Sequence, residues 1–97
     1  MRGFRLTHRK GFHIGFENGW TISVQFGPSN YCQHHHLYGG EVDTEEICSK
    51  KGSHDAETAV IDPDGELVEC DLHPGNTVQG YLSPEQVLEV MNWVAKR

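Results

Sequence analysis

GFHIGFENGWTISVQF, residues 11–26, alternates large apolar side chains with small or polar ones on both sides of an Asn-Gly pair. Phe12, Ile14 and Phe16 stand between Gly11, His13 and Gly15; beyond Asn18-Gly19, Trp20, Ile22, Val24 and Phe26 stand between Thr21, Ser23 and Gln25. A period of two on each side of a pair that tolerates positive φ predicts a β-hairpin. Its apolar face is too large for a two-stranded ribbon to hide, so the rest of the chain must supply a cover.

Working outward, residues 1–10 alternate imperfectly, with Phe4 and Leu6 on one side, and read as a short edge strand or an extended arm. Arg2, Arg5, Arg9 and Lys10 suit an edge, because charge discourages open-ended strand pairing. After the hairpin, Pro28 lacks the amide hydrogen a continuing ladder needs, so the second strand ends near Phe26. Residues 27–52 show no convincing period and read as one long polar loop, in which Thr44 is positioned to cap a short helix through Lys50. Order resumes at Ser53. Ala56, Thr58 and Val60 share one side of a strand, Asp62-Pro63-Asp64-Gly65 is a turn, and the residues after Glu66 return as the partner of a second hairpin. Residues 77–82 lie extended along the sheet.

The clearest helix is the last element. Ser83 is an N-cap, Pro84 fits the first helical position and Gln86 completes a capping box. Val87, Val90, Met91 and Val94 form a stripe, widened by Leu88 and Ala95, with Trp93 at its border. The expected architecture is a single α+β domain over residues 1–97. It has a four-stranded, mostly antiparallel sheet built from two hairpins, with one face covered by the C-terminal helix. Any part of the apolar sheet face that the helix misses becomes a binding surface.

The chain has a formal charge of −6, distributed unevenly. The first ten residues are wholly basic, whereas residues 41–71 hold eleven carboxylates against Lys50 and Lys51, a formal −9. An acidic balance argues against nucleic acid as the main partner. No apolar run is long enough to span a membrane, and the basic start lacks the apolar core of a secretion signal. Three irregularly spaced cysteines suit a reducing compartment, so a cytoplasmic location is expected.

Three groups of side chains are candidates for function. Cys32, His34, Cys48 and His54 are the donor types zinc favours and would staple a small domain, although no paired Cys-x-x-Cys knuckle is present; the competing reading buries Cys32 and Cys70 as small hydrophobes. Gly27, Ser29 and Asn30 offer donors to an anion or small nucleotide on which Tyr31, His35 or Tyr38 could stack, against the plainer reading of a turn followed by loop aromatics. Glu41, Asp43, Glu45 and Glu46 form an acidic loop suited to a basic protein partner, or to solubility alone. No hydrolase elbow, phosphate-binding glycine loop, HExxH helix or EF-hand loop occurs, so no enzyme is expected.

The blocks GWTISVQFGPSNYC, AETAVIDPDG and VQGYLSPEQVLEVMNWV, about half the chain, resemble a group of small proteins encoded by bacteriophages. The resemblance implies an accessory setting in the infected cell, where small acidic proteins work by occupying a host or defence protein; it carries no catalytic residue. The expected function is therefore non-enzymatic protein–protein interaction, as a monomer or homodimer, that inhibits such a partner through the acidic loop or an exposed part of the sheet. Sequestration of a nucleotide and a zinc-stapled structural module are the alternatives.

Overall fold

The computed structural model describes residues 2–37 and 43–97. Strands β1 (Gly3–Thr7), β2 (Gly11–Gly15) and β3 (Thr21–Gln25) form an antiparallel meander. Residues 27–37 then run through successive turns, and a π-helical segment, Glu46–Lys51, precedes β4 (Ala56–Ile61), which pairs antiparallel with β3. The other edge of β4 is shared. The two-residue β5 (Leu67–Val68) pairs with Val60 and Ile61, and β6 (Val78–Leu82) pairs with the Ala56–Ala59 half.

The sheet therefore has six strands, which corrects the expected four-stranded sheet of two hairpins. Two physical reasons account for the difference. The Gly3–Thr7 segment pairs fully with β2 despite its irregular pattern, and β6 breaks its own alternation with a bulge. There the register slips by one residue between Ala56 and Thr58, and Tyr81 takes a left-handed φ of 59°.

The loop of the first hairpin follows from parity. Its apolar positions are even-numbered on both strands, and directly opposed residues share a face, so Ile14 must meet Ile22 and Phe12 must meet Val24, as they do. A two-residue Asn18-Gly19 loop would set Ile14 against Ser23. The chain uses a three-residue loop instead: the Phe16 amide donates to the Trp20 carbonyl at 2.8 Å, the Gly19 amide donates to the Phe16 carbonyl at 3.0 Å, and Gly19 takes φ 89°. The β4–β5 turn repeats this geometry, with Asp62 paired to Glu66 and Gly65 at φ 85°. Gly19 packs beside Pro63, so the two turns lie together at one end of the sheet.

The C-terminal helix, α1 (Pro84–Ala95), begins at the predicted capping box: the Gln86 amide donates to Ser83 Oγ at 3.2 Å and the Ser83 amide to Gln86 Oε1 at 2.9 Å. Val87, Val90 and Val94 are buried against Ile22, Val24, Ala56, Val60, Cys70 and Leu82. Each fully buried aliphatic side chain contributes about 1.5–3 kcal/mol of transfer free energy. Leu88 and Ala95 do not join this stripe; both are exposed. Trp93 meets Trp20 edge to face, with ring centroids 6.2 Å apart, and closes the border of the core.

Candidate functional site

The helix packs against β3, β4 and β6. A single helix is about 10 Å wide and strands are about 4.8 Å apart, so one helix covers two or three strands and no more. The apolar face continues past it. Ile22 stands beside Ile14 and Ile14 beside Phe4; Val24 stands beside Phe12 and Phe12 beside Leu6. Burial falls along each row, from complete at Ile22 to partial at Ile14 and to 83% exposed at Phe4; Leu6 is 82% exposed. The π-helical segment lies near the β1–β2 turn, where Cys48 and Ser49 share a cleft with Leu6, Phe12 and Phe26, yet it leaves Leu6 in solvent.

The strand bearing Phe4 and Leu6 is also the sheet's edge; among the described residues β1 pairs with β2 alone. Its opposite face carries Arg5, whose Nη2 donates to His13 Nδ1 at 2.9 Å. Because a guanidinium cannot accept, Nδ1 of His13 is the unprotonated nitrogen. Burial, and then the Arg5 charge, hold the His13 pKa below its ordinary value. Arg2 reaches Glu17 at 3.9 Å and Arg9 reaches Glu45 at 3.8 Å, both in exposed pairs that contribute little. The turn to β2 places His8 and Arg9 at positive φ, 47° and 59°, a conformation rarely adopted by side-chain-bearing residues.

The side chains expected to hold a ligand are largely occupied within the chain. Asn30 Oδ1 accepts from the Gly27 amide at 3.2 Å, Ser29 Oγ donates to the Leu37 carbonyl at 3.1 Å, and the Tyr31 amide donates to Glu57 Oε2 at 2.8 Å. The Tyr31 ring stacks on His35, centroids 4.8 Å apart, and Tyr38 lies outside the described residues. Asp55 Oδ1 accepts from the Gln33 amide at 2.6 Å, so two carboxylates of the β4 region pin the turn-rich segment to the sheet.

The zinc candidates are placed apart in role. Nε2 of buried His34 donates to the Gly52 carbonyl at 2.6 Å, while Cys32 Sγ donates to the Gly27 carbonyl at 3.5 Å and His54 is exposed. Cys48 packs near Gly27. Among the described residues no three His, Cys, Asp or Glu side chains stand together as a metal-binding group. Cys70 lies in the core. Burial raises the thiol pKa of both Cys32 and Cys48.

In the acidic loop, Glu41 lies outside the described residues. Asp43 Oδ1 accepts from the Glu46 amide at 3.1 Å at the start of the π-helical segment, and Glu45 is the partner of Arg9. Sequence reading noted Phe4 and Leu6 but did not single them out. The available signal was the mismatch between one 12-residue helix and an apolar face spread over several strands.

Among the described residues no helix is long and apolar enough to cross a membrane. Comparisons with protein-family models, with curated proteins and with solved structures find no match.

Proposed function

We propose that this protein is a non-enzymatic binding module that takes up an extended segment of a partner protein along β1, one in which acidic residues alternate with apolar ones. The observation that carries this reading is the pair Phe4 and Leu6, each more than four-fifths exposed on an edge strand that continues the core face. An added strand gains main-chain hydrogen bonds from the edge and places every second side chain over the apolar patch. The charge pattern favours an acidic strand, since residues 2–10 carry Arg2, Arg5, Arg9 and Lys10 and no carboxylate. A second copy is a poorer occupant, because antiparallel self-pairing centred on β1 sets Arg5 against Arg5 of the other copy. In this reading the partner is a host or defence protein of the infected cell, in keeping with the resemblance to small phage-encoded proteins. The free thiols of Cys32, Cys48 and Cys70 suit action in a reducing cytoplasm.

The test uses labelled synthetic peptides of alternating valine and glutamate, or valine and lysine, titrated against the full chain. Binding of the acidic peptide, absence of binding by the basic one, and loss of binding in Phe4→Ser/Leu6→Ser are expected. The double substitution should leave stability within about 0.5 kcal/mol, since both side chains are already in solvent. Equal binding of the two peptides, or a dimer in sedimentation analysis that the double substitution dissociates, would overturn the acidic-strand reading.

A further inference from the structure

A recess of about 380 Å³ opens on the flank of α1. Val24, Phe26 and Ala56 line it from the sheet side, and Val87, Leu88 and Met91 from the helix. Its polar rim is the segment entering β4, where Ser53, His54 and Asp55 stand. The size lies at the lower end of the range for small-molecule sites, and an apolar lining with a few polar groups at one end is their usual composition.

Asp55 gives the recess its chemical preference. Its side chain is only 14% exposed, and Oδ1 is engaged by the Gln33 amide at 2.6 Å and by Ser53 Oγ at 3.4 Å. Among the described residues Oδ2 has no donor within hydrogen-bond distance. Nε2 of His54 lies 3.8 Å from Oδ2 on a largely exposed ring, beyond hydrogen-bond distance. A mostly buried carboxylate with an unfilled oxygen beside an apolar hollow favours a cation that brings its own apolar body. It repels an anion, and a neutral molecule leaves the charge unpaired.

We infer that this recess binds a small organic amine, its aliphatic or aromatic body against Val87, Leu88 and Met91 and its ammonium group on Asp55 Oδ2. The site draws on α1 and the start of β4 and does not depend on strand addition at β1.

The experiment follows methyl NMR spectra and the melting temperature of the full chain with hexylamine, 1-hexanol and hexanoate as probes. Hexylamine is expected to shift the methyl resonances of Val87, Leu88 and Met91 saturably and to raise the melting temperature. 1-Hexanol should bind about tenfold more weakly, since it lacks the charge-assisted contact, and hexanoate should not bind. Asp55→Asn keeps an acceptor for the Gln33 amide while removing the charge, and should bring hexylamine down to the level of 1-hexanol. Should that variant fail to fold, Leu88→Lys, at an exposed helix position, sets a competing ammonium at the mouth and should displace hexylamine. Absence of saturable methyl shifts, equal binding of the three probes, or hexylamine affinity unaltered by these substitutions would overturn the assignment. Phe4→Ser/Leu6→Ser should leave hexylamine binding intact, which separates the two sites.

Discussion

Nδ2 of Asn18 donates to the carbonyl of Val94 at 2.9 Å, joining the first hairpin turn to the last turn of the helix across 76 positions of sequence. The same nitrogen lies 3.3 Å from the Ala95 carbonyl and 3.4 Å from that of Arg97, while Oδ1 accepts from the Trp20 amide. One side chain thus caps the carbonyl end of α1 and braces its own turn. Asn18→Ala should cost about 1–2 kcal/mol, measured by urea denaturation. Asn18→Asp should cost at least as much, because a carboxylate there faces the negative end of the helix dipole.

Gly11 and Gly65 should respond very differently to alanine. A Cβ at Gly11 would overlap the Val24 carbonyl oxygen and come within 2.8 Å of Gln25 Cα, both backbone atoms of the paired strand. Gly11→Ala should therefore force the β2–β3 ladder apart and cost more than about 3 kcal/mol. At Gly65 nothing lies within 4 Å and the penalty is the φ of 85° alone, about 1 kcal/mol. Paired denaturation curves check both values.

Titration of His13 by NMR should show a pKa below that of a free imidazole, and Arg5→Met should move it upward by removing the neighbouring cation. A lowered folded-state pKa means that the unfolded chain binds the proton more readily. The contribution of His13 to stability is accordingly present above the ordinary histidine pKa and is lost as pH falls through the lowered value. In Arg5→Met this acid-side loss should be smaller and should be complete at a higher pH, its onset unchanged.

The thiols should react slowly at neutral pH. Burial holds the pKa of Cys32 and Cys48 above the ordinary value, so their stabilising neutral form is present below that value and the stability is lost as pH rises through the raised one. Lys10 opposes the shift at Cys48. Lys10→Met should therefore slow modification of Cys48 by a thiol reagent at fixed alkaline pH, followed by mass spectrometry of the labelled peptide.

Much of the fold was legible where a local rule and the packed structure agree. The alternation of residues 11–26, the Asp62-Pro63-Asp64-Gly65 turn and the capping box at Ser83 each became the element they specify. The even numbering of the apolar positions also contained the length of the first loop. The missing strands were hidden by bulge and pairing. The β6 pattern is broken at Gly80-Tyr81, where Gly80 admits the Tyr31 side chain, and β1 alternates too imperfectly to be told from an extended arm, although it pairs with β2 along its whole length. The candidate sites were less legible because Asn30, Ser29, Asp43 and His34 look chemically available as residue types but spend their hydrogen bonds on nearby backbone. Exposure of Phe4 and Leu6 depends on how far one helix reaches, which no local pattern records.

The β3–β4 ladder should also set the order in which the molecule assembles. It pairs Thr21 with Ile61 and Gln25 with Glu57, whereas the β2–β3 and β4–β5 ladders join residues much nearer in sequence and the β4–β6 ladder lies between the two cases. Closing so long an intervening segment is entropically slow, and topologies with distant pairings fold slowly for that reason. The meander and the β4–β6 region are two locally wired halves, each able to search its own register before meeting the other. The edge-to-face contact of Trp20 with Trp93 spans the two halves and so reports their union. Its indole fluorescence should therefore change in the step that unites the halves, and stopped-flow refolding that shows the whole change in the first collapse would overturn this order.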